Sequence, residues 1–355
     1  MALLVSLLVV ERKVHLLVLQ MGEKVEKMVS VVLYVFFPVL LTIGILRKYR
    51  ARQWGQCKSI SSLQGKVFLV TGANSGIGKE TVRNLARRKA RIIMACRDMN
   101  NAKSAIEEIR RDVASGELIP MHLDLSSLSS VRQFAEEVLK DFPQIHVLIN
   151  NAGVYVPVQE NRKTKDGFEI HFGVNHLSHF LLTNLLLPRL KESAPSRIVN
   201  VSSTLYQKGE IEFDNLRGEK GFPIKGRQNP GYNNSKLANV LFTKELAQRL
   251  DGTGVDVYVL CPGFAYTGLF RYTHIKWYYY ILATPVLLYF MRSASQAAQT
   301  VLHCATEESL EGQSGLMYRD CSLFTSDKIL DPDKAAKLWA VSEELCGLKT
   351  ETLSN

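Results

Sequence analysis

Paired cysteines are missing from this chain. Its six, Cys57, Cys96, Cys261, Cys304, Cys321 and Cys346, are scattered and form no Cys-x-x-Cys pair. That spacing argues against structural zinc and against a disulfide framework, and suits a reducing compartment. Glycine (23) and proline (11) are sparse among 355 residues, which excludes a collagen-like or linker-dominated chain. No segment recurs at a period of ~20–50 residues, which argues against a solenoid or propeller. Nor is there a Lys/Arg block with interleaved aromatics. The net charge of +10 therefore points away from nucleic acid and towards an anionic membrane surface or a phosphate-bearing ligand. With 46% apolar and 22% charged residues the chain can build a core, and wholesale disorder is excluded.

Charge is also absent, locally, near the N-terminus. Residues Met28–Leu46 carry none, and the run approaches the ~20 residues a helix needs to cross a bilayer. Pro38 lies inside it, which membrane helices tolerate. Arg47, Lys48, Arg50 and Arg52 follow at once, favouring a cytosolic C-terminal part. No clear small-residue cleavage site follows, which argues against a removed signal peptide. Ala2–Val10 is apolar but too short to span. The organisation expected is a flank (1–27), a transmembrane anchor (28–46), a basic linker (47–64) and a folded domain from Gly65 to Leu348, with a tail (349–355).

Within that domain short apolar runs alternate with helical patterns. Val67–Val70, Arg91–Ala95, Ile119–Leu123, Val147–Ile149, Arg197–Val201, Val255–Leu260 and Leu316–Tyr318 read as strands. Gly76–Arg88, a run through Ile106 and Ile109, a helix begun at Ser126 or Ser127, Val174–Leu190, Tyr232–Leu250 and Ala294–Ala305 read as helices. Continuous apolar strands alternating with helices predict an α/β fold: a doubly wound, parallel Rossmann-type sheet with helices on both faces.

Several motifs fall at strand ends. Gly72, Asn74, Ser75, Gly76, Ile77 and Gly78 form a Gly-rich turn between a strand and a helix, where a pyrophosphate can meet a helix N-terminus. Asn151-Ala152-Gly153 ends the fourth strand, Ser202-Ser203 the fifth, and Tyr232 and Lys236 open a helix. Pro262-Gly263, with Thr267 beyond, follows the sixth. In this order the set resembles the short-chain dehydrogenase/reductase family. The run Asn175–Phe180, the helix after Tyr232 and the N-terminal anchor are similar to its membrane-anchored retinol dehydrogenase branch. The segment Tyr206–Pro230 between serine and tyrosine is longer than is usual in the family, but this branch has a similar insert.

The chemistry of these residue types fits that resemblance. An alcohol loses a hydride only as its hydroxyl proton leaves. An ordinary tyrosine, with a pKa of ~10, is a poor base near neutral pH. A lysine at i+4 lies on the same helix face, and the charge of Lys236 would favour the Tyr232 phenolate. The Ser203 hydroxyl can hold the substrate oxygen; Ser202 is its rival. The resemblance assigns Asn175 to a proton relay, and Asp124 with Leu125 to the adenine pocket. At the end of the second strand the carboxylate of NAD-binding members is replaced by Cys96, and Arg97 follows. A guanidinium suits a 2′-phosphate, so NADP(H) is favoured over NAD(H). Asp98 is expected to cap the next helix. His176 and His179 are expected to pack rather than bind metal. The sequons at Asn200 and Asn233 overlie catalytic elements and read as chance matches.

The segment 268–292 is aromatic and aliphatic and would overhang the nicotinamide as a lid dipping into the membrane interface. A core helix, or a contact between two copies of the chain, would read the same way, and a homodimer is open. The resemblance implies an apolar alcohol or carbonyl substrate, with retinol/retinal first and polyprenol, steroid or fatty aldehyde as alternatives. It implies a cytosol-facing enzyme of the endoplasmic reticulum membrane. A non-catalytic NADP(H)-binding scaffold is the rival class.

Overall fold

The computed structural model describes residues 20–222, 229–265, 284, 287, 289–326, 328 and 330–348. Thr267, most of the expected lid and the terminal stretches 1–19 and 349–355 lie outside the described residues. Two compact units form, one from Met1–Gln53 with Trp277–Phe290, the other from Trp54–Lys276 with Met291–Asn355.

The first unit is dominated by a single helix, α1 (Gln20–Gln53), with a mean hydropathy of 2.6 over its most apolar window. At 1.5 Å per residue it is long enough for the ~30 Å of bilayer hydrocarbon. None of that window is buried within the protein; Leu33, Phe36, Phe37 and Leu40 are all exposed. An apolar surface on every side is what a membrane-spanning helix presents to lipid. The helix widens to a π turn over Val32–Phe36, just ahead of Pro38. Proline offers no N–H and crowds the carbonyl one turn back, so a local widening relieves both.

The second unit is an eight-stranded sheet in the order β3-β2-β1-β4-β5-β6-β7-β8. The strands are β1 (Val67–Thr71), β2 (Arg91–Cys96), β3 (Glu117–His122), β4 (Val147–Asn150), β5 (Ser196–Val201), β6 (Val255–Cys261), β7 (Met317–Arg319) and β8 (Ser322–Leu323). All pairings are parallel except β7 with β8. The strand alternation is visible in β1: Val67 and Leu69 join one core, Phe68 and Val70 the other. The first core is closed by α4 (Leu128–Asp141), α5 (Ser178–Glu192), α6 (Pro230–Arg249) and α8 (Pro332–Leu345). The second is closed by α2 (Gly76–Arg87), α3 (Met99–Arg110) and α7 (Ala294–Thr306). This is the doubly wound arrangement expected.

Two features differ from the sequence reading. The stretch 54–64 is no loose linker. Trp54 is buried beneath the Arg292 guanidinium, 5.0 Å from its ring centre. The Cys57 amide donates to the Gln299 side chain, and Ser59 Oγ donates to the Thr306 carbonyl. Arg88 donates to Ser61 O and Ser59 Oγ. The packed unit thus starts at Trp54, ahead of Gly65. The second difference is α8, which the strand-by-strand reading passed over. Asp331 caps it by accepting from Asp333 and Lys334, and Pro332 opens it. Trp339 then packs on Phe180 (4.9 Å) and Phe242 (5.9 Å), with Arg249 over its ring.

Trp339→Ala should therefore lower unfolding stability by about 3–5 kcal/mol, the usual cost of emptying an aromatic core site. Urea unfolding of the detergent-solubilised protein checks this. A loss below about 1 kcal/mol would show that α8 is not docked through Trp339.

Candidate active site

The ends of β1 and β4 are tied together by one hydroxyl. Thr71 Oγ1 accepts from the amides of Asn151 (3.0 Å) and Ala152 (2.9 Å) and meets His179 Nε2 at 2.9 Å. Asn151 Nδ2 donates back to Thr71 O at 2.8 Å. Gly72 follows at φ +66°, with room for no more than a tight contact: a Cβ would stand 3.0 Å from Ala152 Cα. A Cβ on Gly78 would collide with the Gly72 carbonyl oxygen. These two glycines let the turn fold flat against the start of α2. The N-cap Ser75 makes no side-chain cap bond, so the first turn of α2 offers backbone N–H groups to an anion.

This turn is one wall of a cleft of about 1210 Å³. Gly72, Asn74, Ser75, Gly76 and Ile77 line it from β1 and α2; Arg97, Asp124 and Leu125 line it from the ends of β2 and β3. Asn151, Ala152, Gly153, Ser203, Tyr232, Lys236, Pro262 and Gly263 complete it. Gly78 sits one layer back. Asn175 is fully buried behind the cleft, in a π turn (Phe172–Leu177) that leads into α5. Its Oδ1 accepts from Val154 N (2.8 Å) and its Nδ2 donates to Ser235 Oγ (3.0 Å). Its main-chain carbonyl accepts from Asn239 Nδ2 at 3.0 Å. The residues present therefore fit a dinucleotide. They provide an open helix N-terminus beside a glycine cradle, and a cleft continuing past three further strand ends.

The two serines divide. Ser202 Oγ donates to the Lys236 carbonyl at 2.8 Å and is buried. Ser203 lines the cleft and shares a side-chain hydrogen bond with Tyr232. Burial pushes the Tyr232 phenol above its ordinary value, against the opposing effect of that bond. Lys236 Nζ lies 5.7 Å from the Tyr232 ring centre and donates to Val201 O at 3.0 Å. Burial lowers its ammonium to about 8. At rest the phenol keeps its proton: desolvation outweighs the pull of the Ser203 hydrogen bond.

Elsewhere the chemistry is committed to structure. Asp98 caps α3, its carboxylate accepting from Asn100 N, Asn101 N and Asn101 Nδ2. Cys96 is buried, and burial pushes its thiol up to about 11 while the Ala73 and Asn74 amides bond to it. Burial works to raise the Asp124 carboxyl, but hydrogen bonds from Ser126 and Lys165 win and hold it below its ordinary value. His176 meets Asn239 Oδ1 and Ser342 Oγ; burial holds it at about 3 and His179 at about 4. Both imidazoles are neutral packing groups. Tyr155, Val156, Leu205 and Phe264 also line the cleft. They belong to no motif, so reading strand ends and motifs passes over them.

Lys236→Met should show the cost of the buried cation. A lysine lowered to about 8 in the fold and 10.5 in the unfolded chain binds fewer protons folded than unfolded between those values. Its penalty is therefore full below pH 8 and gone above 10.5. Relative to the variant, the cofactor-free wild type should gain up to about 3 kcal/mol across that window. Paired denaturant titrations against pH measure the difference; a flat difference would contradict the burial argument.

A family model described as short chain dehydrogenase matches residues 66–215. Retinol dehydrogenase 12 of Mus musculus is 46% identical over 325 residues, 91% of this chain and 99% of the relative. Retinol dehydrogenase 11 of Homo sapiens is 45% identical over 320 residues, 89% and 96% of the two. A solved structure of an uncharacterized protein from Mycobacterium Paratuberculosis shares 35% identity at a TM-score of 0.61, covering 82% of this chain and 97% of that one. The fold also matches an NADP active-site complex of Pseudomonas aeruginosa RhlG, with 24% identity and a TM-score of 0.57, covering 72% and 94%. On this identity across nearly the full length of its relatives, the chain belongs to the retinol dehydrogenase branch of the short-chain dehydrogenase/reductase family, oxidoreductases that work with a nicotinamide nucleotide.

Proposed function

We propose that this protein is a membrane-anchored, NADP(H)-dependent oxidoreductase that interconverts an apolar alcohol and its aldehyde or ketone, with retinol/retinal as the pair to test first. The observation that carries this reading is the meeting of Ser203, Tyr232 and Lys236 at the inner end of the cleft that begins at the α2 N-terminus. The bound nicotinamide nucleotide supplies or accepts the hydride. Every proton and every contact below is the work of this chain.

Ser203 Oγ and Tyr232 Oη form a pair of hydroxyls that grip one substrate oxygen. In the reducing direction Tyr232 gives its proton to that oxygen as negative charge builds there; a buried phenol that holds its proton at rest is suited to the task. In the oxidising direction the same atom takes the proton, and the Lys236 ammonium supports the phenolate. Asn175, one layer behind, orders Val154 and α6 through Ser235.

The cofactor preference rests on what is available at the end of β2. Cys96 brings no carboxylate, and Asp98 is spent on the α3 cap. Arg97 is left exposed on the cleft, free to face a 2′-phosphate with a bidentate fork. The apolar residues Val154, Val156, Leu205 and Phe264 favour a lipid-like substrate. The chain's relatives carry retinol in their names, and α1 suits a protein that meets its substrate at a bilayer. The basic run Arg47–Arg52 favours a cytosol-facing domain, and the endoplasmic reticulum is the membrane proposed for it.

Three experiments test it. Turnover in detergent micelles, with retinal, a polyprenal, a steroid ketone and a fatty aldehyde, should show NADPH-dependent reduction with retinal preferred. Tyr232→Phe should lose at least ~10²-fold in turnover while cofactor binding holds; wild-type rates from this variant would sink the mechanism. Arg97→Ala should weaken NADP(H) far more than NAD(H), since only the 2′-phosphate loses its partner. Equal losses with both would end the cofactor assignment.

A further inference from the structure

A buried acid and a buried histidine lie directly behind Tyr232, and the chemistry above uses neither. Glu169 and His171 are 8% and 2% exposed. Glu169 Oε2 accepts from the amides of His171 (3.0 Å) and Phe172 (2.8 Å), and its Oε1 lies 2.6 Å from His171 Nδ1. On the far side of the ring, His171 Nε2 accepts from the Val156 amide at 2.9 Å. An amide N–H can only donate, so Nε2 must carry the lone pair and Nδ1 the proton. The two bonds together define one tautomer and one ring orientation.

From there the chain of contacts runs to the phenol by two routes. In the first, the Val156 carbonyl accepts from Asn229 Nδ2 (2.6 Å), and Asn229 Oδ1 caps α6 by accepting from the Tyr232 amide (3.1 Å). In the second, the His171 ring meets Tyr232 edge-on at 6.0 Å, and Tyr155 meets Tyr232 at 5.1 Å. Gly231 sits on the pair itself. A Cβ there would stand 3.0 Å from Glu169 Oε1 and 3.1 Å from His171 Nδ1. The unusually long insert docks on the same acid, since a Cβ on Gly218 would stand 3.1 Å from Glu169 Cγ. The carboxylate thus serves the first N–H groups of one helix and packs against the start of another, where negative charge is favoured.

We propose that the Glu169–His171 pair is a positioning device that sets where the Tyr232 hydroxyl stands relative to Ser203, through Val156 and the Asn229 cap. It rests on the reading of Tyr232 as the proton-transfer group. A displacement of the phenol of about 1 Å is enough to cost ~10²-fold in rate without loosening the cofactor. Neither residue lines the cleft.

Three near-isosteric substitutions test the device, because each removes one defined bond. In Glu169→Gln one face of the amide is a donor, so either His171 Nδ1–H or the two backbone amides face another donor. In His171→Asn the side-chain amide can still donate to Glu169 but cannot reach Val156. In His171→Gln the amide oxygen can reach the Val156 amide, which restores the arm that leads to Tyr232. Glu169→Gln and His171→Asn should therefore lose about 10- to 100-fold in kcat, with KM and the fluorescence-measured NADPH Kd within about twofold. His171→Gln should recover most of the loss. The proposal is overturned if Gln is no better than Asn, if all three turn over as wild type, or if NADPH affinity falls in step with kcat. Tyr232→Phe is run alongside. If that variant keeps wild-type turnover, the reading of Tyr232 falls and takes the device with it. If it is inert while the three substitutions are silent, the device alone falls.

Discussion

Parallel pairing is the constraint on which the rest of this molecule depends. A parallel strand cannot be followed by its neighbour without a crossover, so every strand from β1 to β6 delivers its C-terminal end to the same edge of the sheet. The Gly-rich turn, Arg97, Asp124, the Asn151–Gly153 stretch, Ser203 and Pro262-Gly263 are far apart in sequence and adjacent in space for that reason alone. Thr71 then sets the spacing at the centre of that edge. Its hydroxyl takes two amides from the end of β4 and meets His179 of α5. The two central strand ends and one covering helix are thereby fixed to within a hydrogen bond.

What could be read in advance follows from the same constraint. Strands buried on both faces must be apolar along their length, so β1, β2, β4, β5 and β6 stand out as runs. The site residues that belong to motifs sit where those runs stop. The strap 54–64 could not be read this way. It forms neither helix nor strand and is held by hydroxyl and backbone bonds to Thr306, Gln299 and Arg88, so it has no apolar period to betray it. The helix α8 carried its signals, Asp331 and Pro332 ahead of Ala335, Leu338 and Trp339, but its burial depends on a face that only α5 and α6 together create. Glu169 and His171 are the clearest case. Each looks like an ordinary polar residue until the fold closes Val156 and Gly231 around them.

The serine pair shows how a sequence ambiguity is resolved by geometry. Ser202 and Ser203 are chemically identical neighbours at a strand end, and successive side chains point to opposite sides. One hydroxyl must therefore face the helix layer and the other the cleft. Ser202 meets the Lys236 carbonyl, which also holds the first turns of α6 in place, while Ser203 is left to Tyr232. A similar division of labour separates Asp98 from Arg97, its neighbour on the cleft. Its oxygens are already taken by three donors at the head of α3.

The inner end of the cleft is built at a cost to stability. Lys236 is buried with a carbonyl rather than a carboxylate for company, and burial alone brings its ammonium down to about 8. Tyr232 is displaced upwards by the same desolvation. A protein selected only for stability would replace the lysine with an apolar residue of similar volume. Retaining it leaves a cation whose charge is poorly compensated until something with lone pairs, such as a sugar hydroxyl or a phenolate, comes within reach. The displacements of Tyr232 and Lys236 run apart, the phenol upwards and the ammonium downwards, so desolvation favours the protonated phenol over a phenolate–ammonium pair, and only a group that compensates the buried cation can offset that cost.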